Sequence, residues 1–312
     1  TLFDVTSEVL QGLKRIIYKE KPDLILVHGD TTTTMAASLA GFYEKVMVGH
    51  VEAGLRTNKK YSPFPEEMNR QLVSKIADLH FAPTVSSKLN LVKEGIDEKN
   101  IYITGNTVID AMFSVLDQAR HLKINDERIS FLKSLDSHNN EMNKMILITG
   151  HRRENFGNGF KNICNAIESL ALDFKEVRFI YPVHLNPNVS SIVRERLDGI
   201  GNISLIEPLD YLSFVKLLDL SYIVLTDSGG IQEEAPSLGK PVVLMREVTE
   251  RPEAVDAGTV SLVGTDSSVI YTEVSSLLND QGKYERMSKA HNPYGDGTAS
   301  QKIKDILLRI MK

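Results

Sequence analysis

The feature that most restricts the fold is a glycine turn between two apolar runs, within Leu225–Pro241. The run before the turn, Tyr222–Leu225, and the run after it, Val242–Met245, have the length and composition of buried strands. Between them, Asp227 to Gly230 mark the start of a short helix. This strand–turn–helix–strand order is typical of a parallel α/β sheet, which binds ligands where its strands end.

The turn itself, Ser228-Gly229-Gly230, predicts a binding site for a nucleotide diphosphate. Two glycines let the backbone come close to a bulky anion, and the unpaired N–H groups at a helix start favour phosphate. Glu234 follows one turn into the helix, where a carboxylate can reach a ribose hydroxyl. An ordinary strand-to-helix turn is the alternative, since Ser-Gly-Gly alone is a weak signal. The Gln-Glu-Glu-Ala and Gly-Lys-Pro that follow favour the nucleotide interpretation.

Composition argues against several other classes of protein. A chain of 312 residues has the length of two ordinary domains. A formal net charge of −5 lacks the basic footprint of nucleic-acid-binding proteins, so no nucleic-acid partner is expected. The single cysteine, Cys164, excludes an internal disulfide and a cysteine cluster for zinc, and it fits a reducing cytoplasm. No apolar run reaches membrane-spanning length, so no membrane contact is expected.

Three carboxylates lie where elements of the first half of the chain end or begin. Asp30 follows the apolar run Leu24–Val27, and Glu52 follows the run Val46–His50. Glu66 opens a helix after two prolines, at a position that acidic residues favour. Because parallel strands end at one edge of their sheet, we expect these side chains at a common edge.

Each of these carboxylates also has a structural interpretation. Asp30 or Thr31 can cap the helix that follows, and this feature alone does not separate capping by Asp30 from an active-site role. Glu66 and Glu67 suit a first helical turn, with Arg70 as their ion-pair partner. Carboxylates near an anionic substrate can divide acid and base roles when their surroundings separate their pKa values. Three carboxylates at one edge indicate an active site more strongly than any single one does.

Charged loops in the second half of the chain predict further ligand contacts. The loop Thr149–Gly159 contains His151 and Arg152, and solvated surface charge is the alternative interpretation. Arginine pairs bidentately with phosphate oxygens, and histidine is an acid, a base or a hydrogen-bond donor near neutral pH. His184 is another histidine at the ligand edge, for which a hydrogen-bonded structural role fits equally well. Arg251 lies in a charged loop after a later strand.

The polar stretch His121–Asn143, which contains a short helix at most, separates two domains. We expect an N-terminal Rossmann-like domain over 1–120 and a C-terminal, nucleotide-binding one over 121–297. We expect the last helix, in 298–312, to cross back to the first domain. Domains of this class open with a strand, whereas this sequence opens with the amphipathic helix Thr1–Glu20, so we expect its start to lie inside a domain.

Taken together, the motifs resemble the non-hydrolysing bacterial UDP-N-acetylglucosamine 2-epimerases over nearly the whole chain. The motifs that carry the resemblance are His28–Thr34, Gly49–Arg56, Pro65–Arg70, Thr149–Asn155, Thr226–Lys240, Glu250–Glu253 and Asn292–Gly297. So many long motifs in one order are highly specific. The resemblance implies the α/β fold called GT-B, in which two Rossmann-like domains with mostly parallel sheets face a cleft.

The resemblance also implies an activity. The family interconverts UDP-GlcNAc and UDP-ManNAc: a base removes the C2 proton, UDP leaves to give 2-acetamidoglucal, and UDP adds back after reprotonation on the other face. Such an enzyme supplies ManNAc for surface polysaccharides and needs no cofactor and no metal. A homodimer is expected, as is a second UDP-GlcNAc that acts as an allosteric activator in the cleft.

Matched residue by residue, Asp30, Glu52 and Glu66 resemble the acid/base carboxylates, and His151 resembles the essential histidine beside UDP. The expected substrate contacts are Arg152, His184, Ser228, Gly229, Gly230, Glu234 and Arg251. One departure concerns the start, where the family has a strand and a Gly-Thr-Arg-Pro-Glu loop with an arginine near the phosphates. Roughly sixty residues, about two strand–helix units, are expected to be missing here.

Three alternatives stay open. A hydrolysing relative would release free ManNAc and UDP, and a GT-B glycosyltransferase would move the sugar to an acceptor. An inactive, truncated UDP-sugar binder is the third. A transferase that acts at C1 has no need for three carboxylates facing C2, so the trio favours an epimerase.

Overall fold

The computed structural model describes residues 1–121 and 144–311, which divide into two compact units. Unit 1 comprises Thr1–Asp110 with Pro293–Lys312, and unit 2 comprises Ala111–Asn292. Residues 122–143, to which the sequence analysis assigns a short helix at most, lie outside the described residues.

Unit 1 alternates helices with short strands. Its elements are α1 (Leu2–Glu20), β1 (Leu24–His28), α2 (Thr32–Tyr43), β2 (Met47–Val51), α3 (Glu66–Ile76), β3 (Leu79–Ala82), α4 (Val85–Lys93) and β4 (Ile101–Ile103). A 3₁₀ turn, Glu98–Asn100, precedes β4, and α5 (Thr107–His121) follows it. The strands are all parallel and lie in the order β1-β2-β3-β4, so their carboxyl ends share one edge.

Apolar side chains from the strands and from the end of the chain form one core cluster of unit 1. Val51, Leu79 and Phe81 of the sheet contact Ile303 and Ile306 of the C-terminal helix, Ala299–Ile310. The three-residue spacing of these two isoleucines places them on one face of the α-helix. The C-terminal helix therefore packs against the first sheet, although the two lie far apart in sequence.

Unit 2 contains the second sheet. After the end of α5 its elements are β5 (Met145–Thr149), α6 (Asn158–Asp173), β6 (Arg178–Pro182), α7 (Pro187–Leu197), β7 (Ile203–Ile206), α8 (Tyr211–Leu220), β8 (Ile223–Thr226), α9 (Ile231–Ser237), β9 (Val242–Leu244), α10 (Pro252–Asp256), β10 (Val260–Leu262), α11 (Ser267–Asn279) and α12 (Gln281–Ser288). A 3₁₀ turn, Arg153–Asn155, precedes α6. The parallel strands lie in the order β10-β9-β8-β5-β6-β7.

This strand order has a consequence for ligand binding. The first strand of the unit, β5, lies between β6 and β8, so the chain leaves it in one direction and later returns on its other side. Open α/β sheets bind ligands at such a reversal, beyond the carboxyl ends of the two strands. The loops after β5 and β8 are therefore the places to look for a binding site.

The fold class predicted from the sequence, two Rossmann-like α/β units with parallel sheets, is confirmed. Strands β1 and β8 overlap the apolar runs Leu24–Val27 and Tyr222–Leu225 from which they were predicted. Helix α7, which follows His184, was not among the elements predicted from the sequence. In the structure Asn186 caps this helix and Pro187 occupies its first turn, where proline needs no N–H partner. Across residues 1–121 and 144–311, no helix has the length and apolar character required to cross a membrane.

Two buried histidines lie side by side in the sheet of unit 1. His50 of β2 and His80 of β3 are register partners, and both side chains are almost completely buried. Burial lowers the pKa of His50 to about 3 and that of His80 to about 4, and the nearby Arg56 adds to both shifts. Both rings are therefore neutral at neutral pH.

We expect unit 1 to lose stability as the pH falls from about 6.5 towards 4. A neutral buried histidine stabilises the fold fully above its unfolded pKa, and this contribution is lost as the unfolded chain binds protons. At pH 5 the loss should be about 2 kcal/mol per histidine. Urea unfolding followed by circular dichroism at pH 7, 6 and 5 measures the free energy of unfolding.

His80→Gln supplies the comparison for this pH dependence. The variant removes one of the two titrating rings, so its free energy of unfolding should change less between pH 7 and pH 5 than that of the wild type. The quantity to compare is the slope of the free energy of unfolding against pH, whatever the absolute stability of the variant. Identical slopes for the two proteins would contradict the role of His80.

Candidate active site

Asp30 lies just beyond the end of β1, where an arginine from α3 holds it. Arg70 donates to Asp30 Oδ2 from Nε at 3.0 Å and from Nη2 at 2.7 Å. Asn69, its neighbour in α3, donates to the Asp30 carbonyl oxygen at 2.8 Å. The next helix, α2, is capped by the hydroxyl of Thr31, which accepts the N–H of Thr34. The capping interpretation of Asp30 therefore does not apply, and its carboxylate, paired with Arg70, stays partly exposed at the sheet edge.

Glu67 has a structural role in the same cluster. Its fully buried carboxylate accepts from Arg70 Nη1 at 2.9 Å and from the backbone N–H groups of Thr57 and Asn58 at 3.0 Å each. Burial would raise the pKa of Glu67, but these donors together lower it. Glu67 thus fixes the loop that leads into α3, and with it the position of Glu66.

Glu52 follows β2 in an unusual backbone conformation. Its φ of 65° lies in the left-handed region, which costs a residue with a side chain about 1–3 kcal/mol. Asn106 Nδ2 donates to Glu52 Oε1 at 3.1 Å, and His28 Nε2 lies 3.6 Å from Oε2. A Cβ atom on Gly29 would lie 3.2 Å from the same Oε2, so the turn before Asp30 packs against this carboxylate.

Glu66 begins α3, and its carboxylate differs from the others in its partners. Glu66 Oε2 is buried, and within the described part of the chain it receives no hydrogen bond. A buried carboxylate oxygen without a donor is costly, and such groups often belong to functional sites. Asp30, Glu52 and Glu66 thus come from the end of β1, the end of β2 and the start of α3 in unit 1.

In unit 2, the loops after β5 and β8 are joined by a buried carboxylate. Asp227, at the end of β8, accepts the backbone N–H groups of His151 and Arg152. Asn155 of the same loop donates to Asp227 from its amide at 3.2 Å. Because β5 and β8 are neighbours in the sheet, this contact closes the edge at the strand reversal.

The glycine turn after β8 lies beneath two arginines. A Cβ atom on Gly229 would lie 2.9 Å from Arg251 Nη1 and from Glu250 Oε1, and 3.4 Å from Arg152 Nη2, so a side chain here would displace these groups. Within residues 1–121 and 144–311, Arg152 Nε is buried and has no hydrogen-bond partner. Two guanidinium groups beside a flat backbone turn are suited to phosphate oxygens. Ser228 and Gly230 flank the turn, and Gly230 directly precedes α9.

A buried network of charges holds Arg251 in place. Arg246, which is fully buried, donates to Glu154 and to Glu250 at 2.9 Å each. Glu250 also accepts from Arg251, whose Nε donates to Glu233 of α9. The loops after β5 and β9 and helix α9 are therefore connected through alternating charges.

Glu234 lies one turn into α9, beside Gly230. Its carboxylate is almost buried and accepts the hydroxyl of Tyr211, from α8, at 2.7 Å. Burial raises the pKa of Glu234, and the tyrosine hydrogen bond acts in the opposite direction. A Cβ atom on Gly230 would lie 3.9 Å from Glu234 Oε2, so the turn and the carboxylate share one surface.

The two histidines at this edge stack on each other. The ring centroids of His151 and His184 are 5.5 Å apart, with an angle of 21° between the ring planes. His184 Nδ1 accepts the backbone N–H of Asn186 at 3.1 Å, so a neutral His184 carries its proton on Nε2. The structural role considered for His184 is thus present, and it places this ring against His151.

Every expected contact of the second half therefore lies at one edge of unit 2, and the carboxylate trio lies at one edge of unit 1. Some contributing residues were not recognised as such from the sequence. They are Asp227, Arg246, Tyr211, Asn106 and, as a partner of Asp30, Arg70. A polar residue directly after a strand was the signal that could have revealed Asp227. No group of three potential metal-ligating side chains was found among residues 1–121 and 144–311.

Comparison with known proteins agrees with this geometry. A family model described as UDP-N-acetylglucosamine 2-epimerase matches residues 1–308. The chain belongs to the UDP-N-acetylglucosamine 2-epimerase family. A relative from Yersinia pestis that bears the family name is 56% identical over 306 residues, covering 97% of this chain and 80% of the relative.

Solved structures of the epimerase family share the fold. The crystal structure of UDP-GlcNAc 2-epimerase from Neisseria meningitidis bound to UDP-GlcNAc has a TM-score of 0.93 at 48% identity, covering 99% of this chain and 82% of that one. The S. aureus MnaA–UDP co-structure has a TM-score of 0.92 at 46% identity, with the same coverage. The resemblance stated from the sequence motifs, and the GT-B fold it implied, are confirmed.

We expect Arg70→Met to lower the free energy of unfolding by about 3–5 kcal/mol, because the buried Glu67 loses its guanidinium partner. Adding Glu67→Gln should restore part of this loss, since the uncompensated buried charge is removed. Chemical unfolding of the two variants and of Glu67→Gln alone completes a double-mutant cycle.

Arg56→Met is the matched comparison. Arg56 is a similarly buried arginine that pairs with Glu94 at 2.7 Å, but the Glu94 side chain is 27% exposed and can be hydrated when the pair is broken. Its loss of stability should therefore be smaller than that of Arg70→Met. Equal losses, or no recovery on adding Glu67→Gln, would show that the Glu67–Arg70 pair is not the source of the effect.

Proposed function

We propose that this chain is a non-hydrolysing UDP-N-acetylglucosamine 2-epimerase that interconverts UDP-GlcNAc and UDP-ManNAc. It would act as a homodimer in the cytoplasm and supply ManNAc for surface polysaccharides. Family membership supports the epimerase activity, and the Neisseria relative was solved with UDP-GlcNAc bound. The observation that carries the choice of chemistry is the carboxylate trio of unit 1.

The trio suits a reaction that moves a proton. Asp30, Glu52 and Glu66 are drawn to one edge of a parallel sheet, and two of them are held by Arg70 and Asn106. Inversion at C2 requires a base on one face of the sugar and an acid on the other, since the proton leaves one face and returns on the opposite face. Carboxylates in different surroundings can divide these two tasks.

Unit 2 supplies the groups for UDP. The diphosphate would lie against Gly229 and accept hydrogen bonds from Arg152 and Arg251, with His151 beside it. Such charge-assisted bonds stabilise the negative charge that develops on UDP as it leaves. Glu234 is placed to accept from the ribose hydroxyls, and Tyr211 holds its carboxylate.

The chemical steps balance without a cofactor. A carboxylate takes the C2 proton, the C1–O bond breaks with its electron pair going to UDP, and 2-acetamidoglucal remains. A second carboxylate then delivers a proton to the opposite face of C2 while an oxygen of UDP re-forms the bond to C1. We assign one of these proton transfers to Glu66, because its Oε2 is buried and receives a hydrogen bond from no described residue.

Incubation with UDP-GlcNAc in D₂O should give UDP-sugars that carry deuterium at C2. Glu66→Gln should slow this exchange by about 10²–10⁴-fold, the usual contribution of a general acid or base. Glu98→Gln is the matched control, because Glu98 is an exposed carboxylate of the same unit. This variant should catalyse exchange at C2 at the wild-type rate. NMR of the reaction mixture measures both the product and its isotope.

The products separate the alternatives. Free ManNAc together with UDP would identify a hydrolysing epimerase, and transfer of the sugar to an acceptor would identify a glycosyltransferase. UDP-ManNAc that retains the original C2 hydrogen would exclude the elimination mechanism. Binding of UDP with no turnover would leave a UDP-sugar binder.

Tyr211→Phe tests the ribose contact. Without the tyrosine hydroxyl, the pKa of Glu234 should rise further, so as the pH falls its carboxylate becomes protonated at a higher pH than in the wild type. We expect about tenfold weaker UDP binding, the effect of losing one hydrogen bond to a charged group, and a larger deficit at pH 6 than at pH 8. Isothermal titration calorimetry with UDP measures both.

Tyr222→Phe is the control for this substitution. The Tyr222 hydroxyl lies near Gln281 and its ring stacks on Tyr284, away from α9. Its variant should bind UDP as the wild type does at both pH values. If Tyr211→Phe also binds UDP normally, the Tyr211–Glu234 hydrogen bond has no part in nucleotide binding.

A further inference from the structure

Asp227 is a fully buried carboxylate whose hydrogen bonds all reach across to the neighbouring loop. The backbone N–H of His151 lies 3.1 Å from Oδ1 and 3.0 Å from Oδ2, and the N–H of Arg152 lies 2.9 Å from Oδ2. The Asn155 amide donates to Oδ2 at 3.2 Å. A negative charge inside the fold is thus compensated by donors of a single short segment. Asp227 thereby fixes the backbone from which the His151 side chain projects.

The same carboxylate also faces the imidazole of His151. Asp227 Oδ1 lies 3.7 Å from Nδ1, an ion-pair distance, and the His151 side chain is 42% exposed. A carboxylate on one side of an imidazole favours a proton on the nitrogen that faces it. Nε2, on the other side of the ring, is left for a ligand.

We propose that Asp227 is a positioning residue for His151, which fixes the loop backbone and keeps the proton of the imidazole on Nδ1. This inference rests on the proposed function, in which His151 lies beside the diphosphate of the substrate. With Nδ1 protonated, Nε2 accepts a proton when the ring is neutral and donates one when the ring is charged. The protonated ring can then stabilise the negative charge of the departing UDP. This interaction ends when UDP has added back to C1.

The charges around the ring give Asp227 a second effect. Burial lowers the pKa of His151, and Arg152 and the stacked His184 lower it further, whereas Asp227 raises it. Removing the negative charge of Asp227 should therefore move the titration of His151 to lower pH. Any pH dependence of turnover that reports the protonated His151 should move in the same direction.

Asp227→Asn separates the two effects of this residue. An amide oxygen in the place of Oδ2 can still accept from His151, Arg152 and Asn155. Only the longer of the two contacts of the His151 N–H, the one to Oδ1, is lost, so the loop backbone can keep its position. The amide nitrogen then occupies the place of Oδ1 and points its hydrogens at Nδ1 of the ring. A donor facing Nδ1 favours the opposite tautomer, with the proton on Nε2.

The experiment is ¹⁵N NMR of the histidine rings, combined with kinetics at several pH values. In the wild type, neutral His151 should carry its proton on Nδ1, and in Asp227→Asn on Nε2. We expect kcat to fall by about 10²–10⁴-fold, the range for losing a general acid–base group or its correct tautomer, with little change in KM. The kinetic titration of the variant should lie at lower pH than that of the wild type.

Asn155→Ala is the matched control, because it removes one hydrogen bond to Asp227 and one to Met245 O without changing any charge. It should lower the melting temperature but leave the tautomer and the pH profile of the wild type. If Asp227→Asn likewise loses stability while His151 keeps its proton on Nδ1, Asp227 only supports the fold and the proposal fails. A tautomer change in a protein that does not epimerise would support the positioning role and overturn the proposed function instead.

Discussion

Within residues 1–121 and 144–311, each buried arginine pairs with a carboxylate, and this pairing is what allows its charge in the interior. In unit 1, Arg70 joins Asp30 to Glu67, and in unit 2, Arg246 joins Glu154 to Glu250. An isolated charge inside a protein would cost several kcal/mol, so these side chains have to occupy fixed positions together. The loops that they connect are the ones that carry the candidate catalytic and phosphate-binding groups. The arginine–carboxylate pairs therefore fix the positions of the loops at the two candidate site edges as well as those of the interior side chains.

The parallel sheets determine where these loops lie. All strands of a unit end at the same edge, so residues distant in sequence meet there without a dedicated scaffold. In unit 2 the strand order reverses between β5 and β8, and Asp227 connects the loops on both sides of that reversal. In unit 1 the strands follow in simple sequence order, and the ends of β1 and β2 bring Asp30 and Glu52 to one edge.

Much of this arrangement follows from local patterns, whereas the partners of the site residues do not. Short apolar runs predicted the strands, and the three-residue spacing of Glu67 and Arg70 predicted their ion pair, which is present. The same arginine also holds Asp30, which is 40 residues away, and Arg246 meets Glu154 across 92 residues. No periodicity links such positions, because only the folded sheet brings them together. From the sequence, Asp227 only marked the start of a helix, because its partners in the loop after β5, such as Arg152, lie 75 residues away.

The left-handed backbone of Glu52 has a consequence for protein engineering. Glycine adopts this conformation without strain, so a selection for thermal stability alone would favour glycine or asparagine at position 52. Either replacement would remove a carboxylate from the trio. Stabilising substitutions are therefore better sought at surface positions and loops outside the sheet edges, because the strained turn at Glu52 places a candidate catalytic carboxylate.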